Sequence, residues 1–198
     1  MNGVCSMLRI ITKITQKIEN WASQVGLIYK IAESYYLGIV EKEVVLANIT
    51  NKDNILFIGG GICPFSAILL HRKTGAKITV IDNDISCVQK ATQLISRMGL
   101  GGHVTVLCLD GRNVDLTPYS VVHFALQICP LECVFSYIEK HVTPGTKLLI
   151  RRPRKQFRKF YSWNSFRHLP SPLLRFCPFT THPQARNIGS TLLYIKEG

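Results

Sequence analysis

Residues 55–84 constrain the fold of this chain more than any other segment. An apolar run ends in three consecutive glycines, Gly59–Gly61, a helix-forming stretch follows, and a second apolar run ends at Asp82. Strand, glycine turn, helix and strand in this order predict a nucleotide-binding βαβ unit, because glycine lets the backbone turn sharply beside a ligand. A carboxylate about 20 residues beyond such a turn can accept hydrogen bonds from ribose hydroxyls. We therefore expect Asp82 to bind the sugar of a nucleoside.

The residues after the glycines indicate which nucleoside this is. Pro64 stands where dinucleotide-binding turns place their third glycine beside a pyrophosphate, and the Gly-Lys-Ser/Thr motif of a P-loop is absent. The turn is therefore predicted to hold an adenosine without phosphates, and S-adenosylmethionine fits best. A glycine loop that binds no ligand is the alternative.

The alternation of strands and helices continues along the chain. Asp84 is predicted to cap a helix over residues 85–98, which Gly99 ends. Strands are predicted over 103–109, 120–128 and 147–151, and a helix over 131–141. Ligands of open α/β sheets bind beyond the carboxyl ends of the strands, so we expect Asp110 to accept from the adenine amino group. The predicted donor-binding residues are Gly59, Gly60, Gly61, Pro64, Asp82, Asn83, Asp110, Gly111 and Leu126.

Composition sets the class of protein. With 198 residues, 46% hydrophobic and 18% charged, the chain is predicted to form one folded domain with an appendage. We divide it into a helical cap over 1–50 and an S-adenosylmethionine-binding domain over 51–198. A charged start followed by an apolar block is absent, and the apolar run 55–70 is too short to span a bilayer. These features predict a cytoplasmic protein without a membrane segment.

The cysteines support a reducing compartment. There are seven, scattered mostly in apolar runs, which predicts mainly buried thiols. The close pair, Cys129 and Cys133, lacks the Cys-x-x-Cys spacing, so we expect no metal there.

Positive charge is concentrated near the C-terminus. The net charge is +12, and residues 151–198 hold ten Lys and Arg and one Glu, which is +9 of it. The basic segment 151–176 mixes cations with aromatics. It has two interpretations: binding of nucleic acid through residues 151–159, or a solvated segment in which some arginines hold a substrate carboxylate. The second is favoured.

Residues 1–50 are predicted to be helical. Apolar residues from Ile10 to Ile28 recur at helical spacing, and a second helical stretch covers 31–49. Such a cap commonly forms a wall of the substrate pocket. Tyr35 and Tyr36 could face a sulfonium cation with their rings, or they could be ordinary packing aromatics.

Several collinear segments together resemble the nicotianamine synthase family. They are the glycine turn and helix over 57–70, the Tyr-x6-Glu spacing of Tyr36 and Glu43, the Pro-Gly turn and strand ending at Arg151, and the His-Pro and closing strand over 182–196. The similarity covers about residues 33–197.

This resemblance implies an α/β, Rossmann-like class I methyltransferase fold. Its sheet would be mostly parallel with an antiparallel C-terminal strand, preceded by the small helical cap. It also implies transfer of an aminocarboxypropyl group from S-adenosylmethionine to a small amine or amino acid, with release of methylthioadenosine. Tyr36 and Glu43 would position groups and accept a proton, while Tyr35 and Arg151 would bind substrate, Arg151 through a carboxylate.

The sequence also departs from the family. Members usually have a larger helical N-terminal domain, the family's upstream catalytic glutamate has no acidic counterpart near Ile10, and Phe65-Ser66 replaces Leu-Pro. Two alternatives therefore stay open: a methyltransferase acting on a small molecule, protein or RNA, and a binding protein without catalysis. The oligomeric state is undetermined, with a homodimer as one option.

Overall fold

A seven-stranded sheet organises the part of the chain that the structure describes. The computed structural model describes residues 26–161, 163 and 172–198. The predicted helix over the first residues of the chain, including Ile10, lies outside them. The described helices are α1 (Gly26–Ala47), α2 (Phe65–Thr74), α3 (Ile85–Arg97), α4 (Leu131–His141) and a 3₁₀ helix (Lys155–Phe160); the strands are β1 (Asn54–Ile58), β2 (Lys77–Asp82), β3 (Val104–Cys108), β4 (Val121–Phe124), β5 (Lys147–Pro153), β6 (Leu174–Thr181) and β7 (Ile188–Lys196).

The strand order is β3-β2-β1-β4-β5-β7-β6. Strands β1 to β5 are parallel to one another, and β7 runs antiparallel to both β5 and β6. The predicted mostly parallel sheet with an antiparallel C-terminal strand is confirmed. The order reverses between β1 and β4, and ligands of such sheets bind beside that reversal.

Both faces of the sheet are covered, as expected for parallel strands. Successive side chains of a strand point to opposite faces. Ile55 and Phe57 accordingly pack with α1 and α2, whereas Leu56 and Ile58 pack with α4. The apolar run that predicted β1 is thus a strand buried on two sides.

Local capping signals agree with the structure. The Asp84 carboxylate accepts a hydrogen bond from Ser86 N at 2.8 Å and begins α3. Gly99 adopts φ +69° just after that helix, a left-handed conformation that glycine accepts without strain.

Two expectations need correction. The strand predicted over 120–128 ends at Phe124, because the chain leaves the sheet where it borders a cavity. The cysteines are less uniformly buried than predicted: Cys63, Cys87 and Cys177 are buried, but Cys108 and Cys133 are exposed. Among the described helices, none combines the length and the apolar character needed to cross a bilayer.

Candidate functional site

A cavity of about 820 Å³ opens at the carboxyl ends of β1, β2 and β4. Every donor-binding residue predicted from the sequence lines it, and so do Tyr36 and Arg151. Tyr35 and Glu43 do not line it. The fold therefore brings residues from six separate segments to one site beside the strand-order reversal.

The glycine turn closes one side of this cavity. Gly59 and Gly61 have φ of +83° and +61°, conformations that are strained for residues with a side chain. Gly60 is restricted by space, since a Cβ there would lie 2.2 Å from Val80 Cγ1. Each of the three positions thus requires glycine, two for backbone conformation and one for lack of space. Without side chains there, the backbone between β1 and α2 can lie against a ligand.

Asp82 holds this turn in place. Its Oδ2 accepts from Gly61 N at 2.8 Å, and its Oδ1 accepts from Asp84 N at 3.0 Å. Burial raises the pKa of the Asp82 carboxyl, and the two N–H bonds oppose that rise. Each oxygen keeps a second lone pair, so Asp82 can accept a ribose hydroxyl without leaving the turn.

Asp110 lies at the end of β3 with an unpredicted partner. Arg112 donates two hydrogen bonds to its carboxylate, from Nε to Oδ1 at 2.9 Å and from Nη2 to Oδ2 at 2.7 Å. Hydrogen bonding from Arg112 lowers the pKa of Asp110. Gly111 between them has no room for a Cβ, which would lie 2.8 Å from Val134 Cγ1. The contact of Asp110 with an adenine amino group stays a prediction, made by a carboxylate already fixed in orientation.

The two tyrosines of α1 differ in position. Tyr36 lines the cavity, stacks with Phe65 at a centroid separation of 6.1 Å, and lies under the Arg151 guanidinium, 5.8 Å from Cζ to the ring centroid. Tyr35 instead donates its hydroxyl to Asn187 Oδ1 at 2.7 Å. Asn187 itself lines the cavity, so Tyr35 contacts the site through that amide.

Glu43 forms the centre of a buried polar cluster behind the cavity. The side chain is 0% exposed, and Arg151 donates to both of its oxygens at 2.8 Å, through Nε and Nη2. Thr191 Oγ1 donates to Oε1 at 2.7 Å, and His123 Nε2 lies 3.1 Å from Oε2. Because an ionised carboxylate only accepts, His123 carries its proton on Nε2. We call Glu43, Arg151, His123 and Thr191 the buried cluster.

Electrostatics keep this cluster in one charge state. Burial has the largest single effect and would raise the pKa of Glu43, but the charges and hydrogen bonds of Arg151 and His123 together outweigh it and hold that pKa well below its usual range. Burial lowers the pKa of His123 and keeps the imidazole neutral. The cluster is therefore one anion paired with one cation.

This geometry bears on the role of Glu43. Four donors occupy the four lone-pair directions of its carboxylate, and the side chain does not reach the cavity. A role as proton acceptor has no geometric support here, because no lone pair is left for a substrate proton. Positioning through Arg151 is the role that the contacts favour, and it stays a prediction.

Several residues of this region escaped sequence reasoning. Ser66 accepts from Arg151 Nη1 at 2.8 Å, and Thr191 and Asn187 come from the far end of the chain. His123 had a local signal, since a histidine inside the apolar strand Val121–Phe124 needs a buried partner. Ser66, Thr191 and Asn187 had no such signal in the sequence around them. In the described part of the chain, no three His, Cys, Asp or Glu side chains are grouped so as to hold a metal ion.

The first three arginines of the basic segment, at the end of β5 and just after it, bond to other parts of the protein rather than forming a solvated run. Arg151 belongs to the buried cluster, and Arg152 Nε donates to Ser190 Oγ at 2.9 Å. Arg154 donates to the backbone carbonyls of Ala185, at 2.7 Å, and Pro183. The start of the segment therefore ties β5 to the loop before β7.

No protein-family model matches the chain. The L-histidine 2-aminobutanoyltransferase of Yersinia pestis is 28% identical over 114 residues, which are 57% of this chain and 42% of that protein. The chain thus spans less than half the length of this curated relative.

Solved structures match over a larger share of the chain. A Glu-to-Gln mutant of MtNAS, a nicotianamine synthase, in complex with S-adenosylmethionine has a TM-score of 0.79 at 18% identity, covering 98% of this chain and 78% of that one. MtNAS in complex with MTA and tNA has the same TM-score at 19% identity, covering 97% and 73%. An RNA methyltransferase from Salinibacter ruber, in complex with S-adenosyl-L-homocysteine, has a TM-score of 0.60 at 16% identity, covering 80% and 90%.

At these identities the likeness establishes the fold. The predicted resemblance to nicotianamine synthase is confirmed at that level, and the chain has the fold of class I S-adenosylmethionine-dependent methyltransferases.

Proposed function

We propose that this protein is an S-adenosylmethionine-dependent transferase that moves an aminocarboxypropyl group to a small amine or amino acid and releases methylthioadenosine. One observation carries the proposal. The predicted adenosine-binding residues line one cavity in a chain that superposes along 98% of its length on a nicotianamine synthase holding S-adenosylmethionine. The partial similarity to an L-histidine 2-aminobutanoyltransferase supports the same type of acceptor.

The donor would lie across the carboxyl ends of the strands. Asp82 would accept from the ribose hydroxyls, and Asp110 with Leu126 would contact the adenine. Glycines Gly59 to Gly61 would leave room for the sulfur end of the nucleoside. This end would then lie near Tyr36, whose ring face attracts a sulfonium cation.

The proposed reaction forms one C–N bond and breaks one C–S bond. The acceptor nitrogen gives its lone pair to the γ-carbon of the methionine part, and the electron pair of the broken bond goes to sulfur. Methylthioadenosine leaves uncharged, the nitrogen takes on the positive charge, and its extra proton passes to water. All three carbons on a sulfonium are electrophilic, so the one held in line at about 3–3.5 Å from the nitrogen reacts.

Only a neutral amine can attack. Among the described residues, the carboxylates that line the cavity are Asp82, Asp84 and Asp110, and each already accepts hydrogen bonds from its own chain. We therefore expect the acceptor to lose its proton largely through desolvation, with Tyr36, which lines the cavity, as the side chain that assists. At subsaturating acceptor, the rate should rise with pH up to the pKa of the acceptor amine.

Arg151 would bind a carboxylate of the donor or acceptor. Nε and Nη2 hold Glu43 and Nη1 holds Ser66, which uses three of the five guanidinium N–H groups. Two donors remain on a side chain that borders the cavity. Because Glu43 and Ser66 hold the guanidinium in one orientation, little entropy would be lost when a carboxylate binds.

Nucleoside analysis tests the proposal. The protein is incubated with S-adenosylmethionine labelled in its aminocarboxypropyl carbons, with and without a panel of amino acids. Methylthioadenosine together with a labelled acceptor is the expected result. A reaction without protein corrects for spontaneous decay of the donor, and Gly60→Ala serves as a variant with an obstructed turn.

A methyltransferase is the second candidate, favoured by the likeness to an RNA methyltransferase with its bound S-adenosyl-L-homocysteine. S-adenosylhomocysteine as the enzymatic product would replace the first proposal with this one. Donor binding by calorimetry without turnover across the panel would instead indicate a binding protein.

A further inference from the structure

Strand β5 separates two differently charged sites. Arg151 and Arg152 are neighbours in an extended strand, so their side chains point to opposite faces of the sheet. Arg151 pairs in register with Thr191 and lines the main cavity, whereas Arg152 pairs with Ser190 and lines a second depression of about 350 Å³. We call this second site the basic depression.

Cations dominate the walls of the basic depression. Arg152, Arg154, Lys155 and Arg158 line it, and none of its lining residues is a carboxylate. The sequence contains no Asp or Glu between Glu139 and Glu197, so a neighbouring loop of that region cannot supply one. Within the described residues, none of these four cations takes part in an ion pair.

These cations differ in what they already bind. Arg154 is occupied by backbone carbonyls. Arg152 uses Nε on Ser190, and its guanidinium lies 6.0 Å from the Phe179 ring centroid. Arg158 has a buried Nε with no hydrogen-bond partner among the described residues, and Lys155 is exposed.

Two arginines therefore face one depression without a compensating anion. Burial and then the nearby charge of Arg158 lower the pKa of Arg152, as expected for two like charges that face one depression. An anion bound between the two guanidinium groups would offset their mutual repulsion. Phosphate fits best, because planar guanidinium groups bind its oxygens in pairs and a lysine adds a point charge.

We propose that the basic depression binds a phosphate group, at a site separate from the S-adenosylmethionine cavity. Arg158 and Arg152 supply paired hydrogen bonds, and Lys155 supplies charge at the rim. The phosphate belongs either to a small phosphorylated molecule or to an RNA backbone, which share this chemistry.

Calorimetry with pyrophosphate and with a short single-stranded RNA tests the site at low ionic strength. We expect the wild-type protein to bind, and Lys155→Gln and Arg158→Gln each to raise the Kd about tenfold, the loss of one charge-assisted contact. Lys90→Gln, which removes an exposed charge on α3, is the matched control and should bind like the wild type. S-adenosylmethionine affinity should not change in any of these variants, which checks their folding.

The two phosphate sources differ in salt dependence. An RNA backbone should bind more tightly than pyrophosphate and lose affinity more steeply with salt, since several phosphates release counterions. Absence of binding for both ligands would overturn the proposal. So would equal affinities of Lys155→Gln and Lys90→Gln, and this comparison holds even if Arg158→Gln fails to fold.

Discussion

Replacing Glu43 by glutamine should destabilise the protein far more than one lost surface charge. The variant leaves Arg151, which is 4% exposed, without its anion. Breaking one side of a buried pair costs about 3–5 kcal/mol. The glutamine amide also places an N–H₂ group against a donor, because Arg151, His123 and Thr191 together donate to both oxygens. We expect a loss near the middle of that range.

Thermal unfolding followed by circular dichroism measures this loss as a change in Tm, and urea denaturation measures it as a free energy of unfolding. For a domain of this size, each kcal/mol corresponds to about 2–4 °C in Tm, so Glu43→Gln should lower Tm by roughly 8–16 °C. The control is Glu41→Gln on the same helix, whose ion pair with Lys73 joins side chains that are both 45% exposed. That variant should cost less than about 1 kcal/mol.

A double variant tests the reason for the loss. Glu43→Leu with Arg151→Met removes both charges and keeps apolar volume, so it should be more stable than Glu43→Leu alone. Equal stability of Glu43→Gln and Glu41→Gln, or a double variant less stable than both single ones, would refute the buried-pair argument.

Three further predictions concern the turn and the response to acid. Asp82→Ala should weaken S-adenosylmethionine binding by about 1.5–3 kcal/mol in calorimetry, and unchanged affinity would assign ribose binding to another residue. Gly60→Ala should lower both Tm and donor affinity, because its Cβ would meet Val80 Cγ1 at 2.2 Å, whereas Gly102→Ala, with open space, should not. Stability should fall as the pH drops from 6.5 towards 4, because burial lowers the pKa of His182 to about 4 and the unfolded chain binds that proton first; a flat Tm across this interval would contradict it.

The sheet of this protein was largely predictable from local patterns. Apolar runs bounded by glycine and aspartate mark β1 and β2, and Asp84 with Gly99 marks the ends of α3. These signals are readable because each depends on a backbone conformation or a hydrogen bond within a few residues. The end of β4 was misplaced, since the apolar residues after Phe124 line a cavity instead of continuing the strand.

The identity of the candidate site was also visible in the sequence, but its internal contacts were not. Glycines, Asp82 and Asp110 follow strands that the topology makes neighbours, so their convergence could be predicted. The pairing of Asp110 with Arg112 could not, because side-chain direction at a strand end depends on the loop that follows.

The amino-acid sequence alone determined the βαβ unit, the glycine turn and the carboxylates at the strand ends. Tertiary structure alone decided that Glu43 faces Arg151, 108 residues further along the chain, in a buried cluster behind the cavity. It also decided that Arg151 and Arg152 line two different cavities, on opposite faces of the sheet. The physical reason is that a buried charge is stable only beside its partner, and nothing local in a sequence specifies which distant residue the fold brings there.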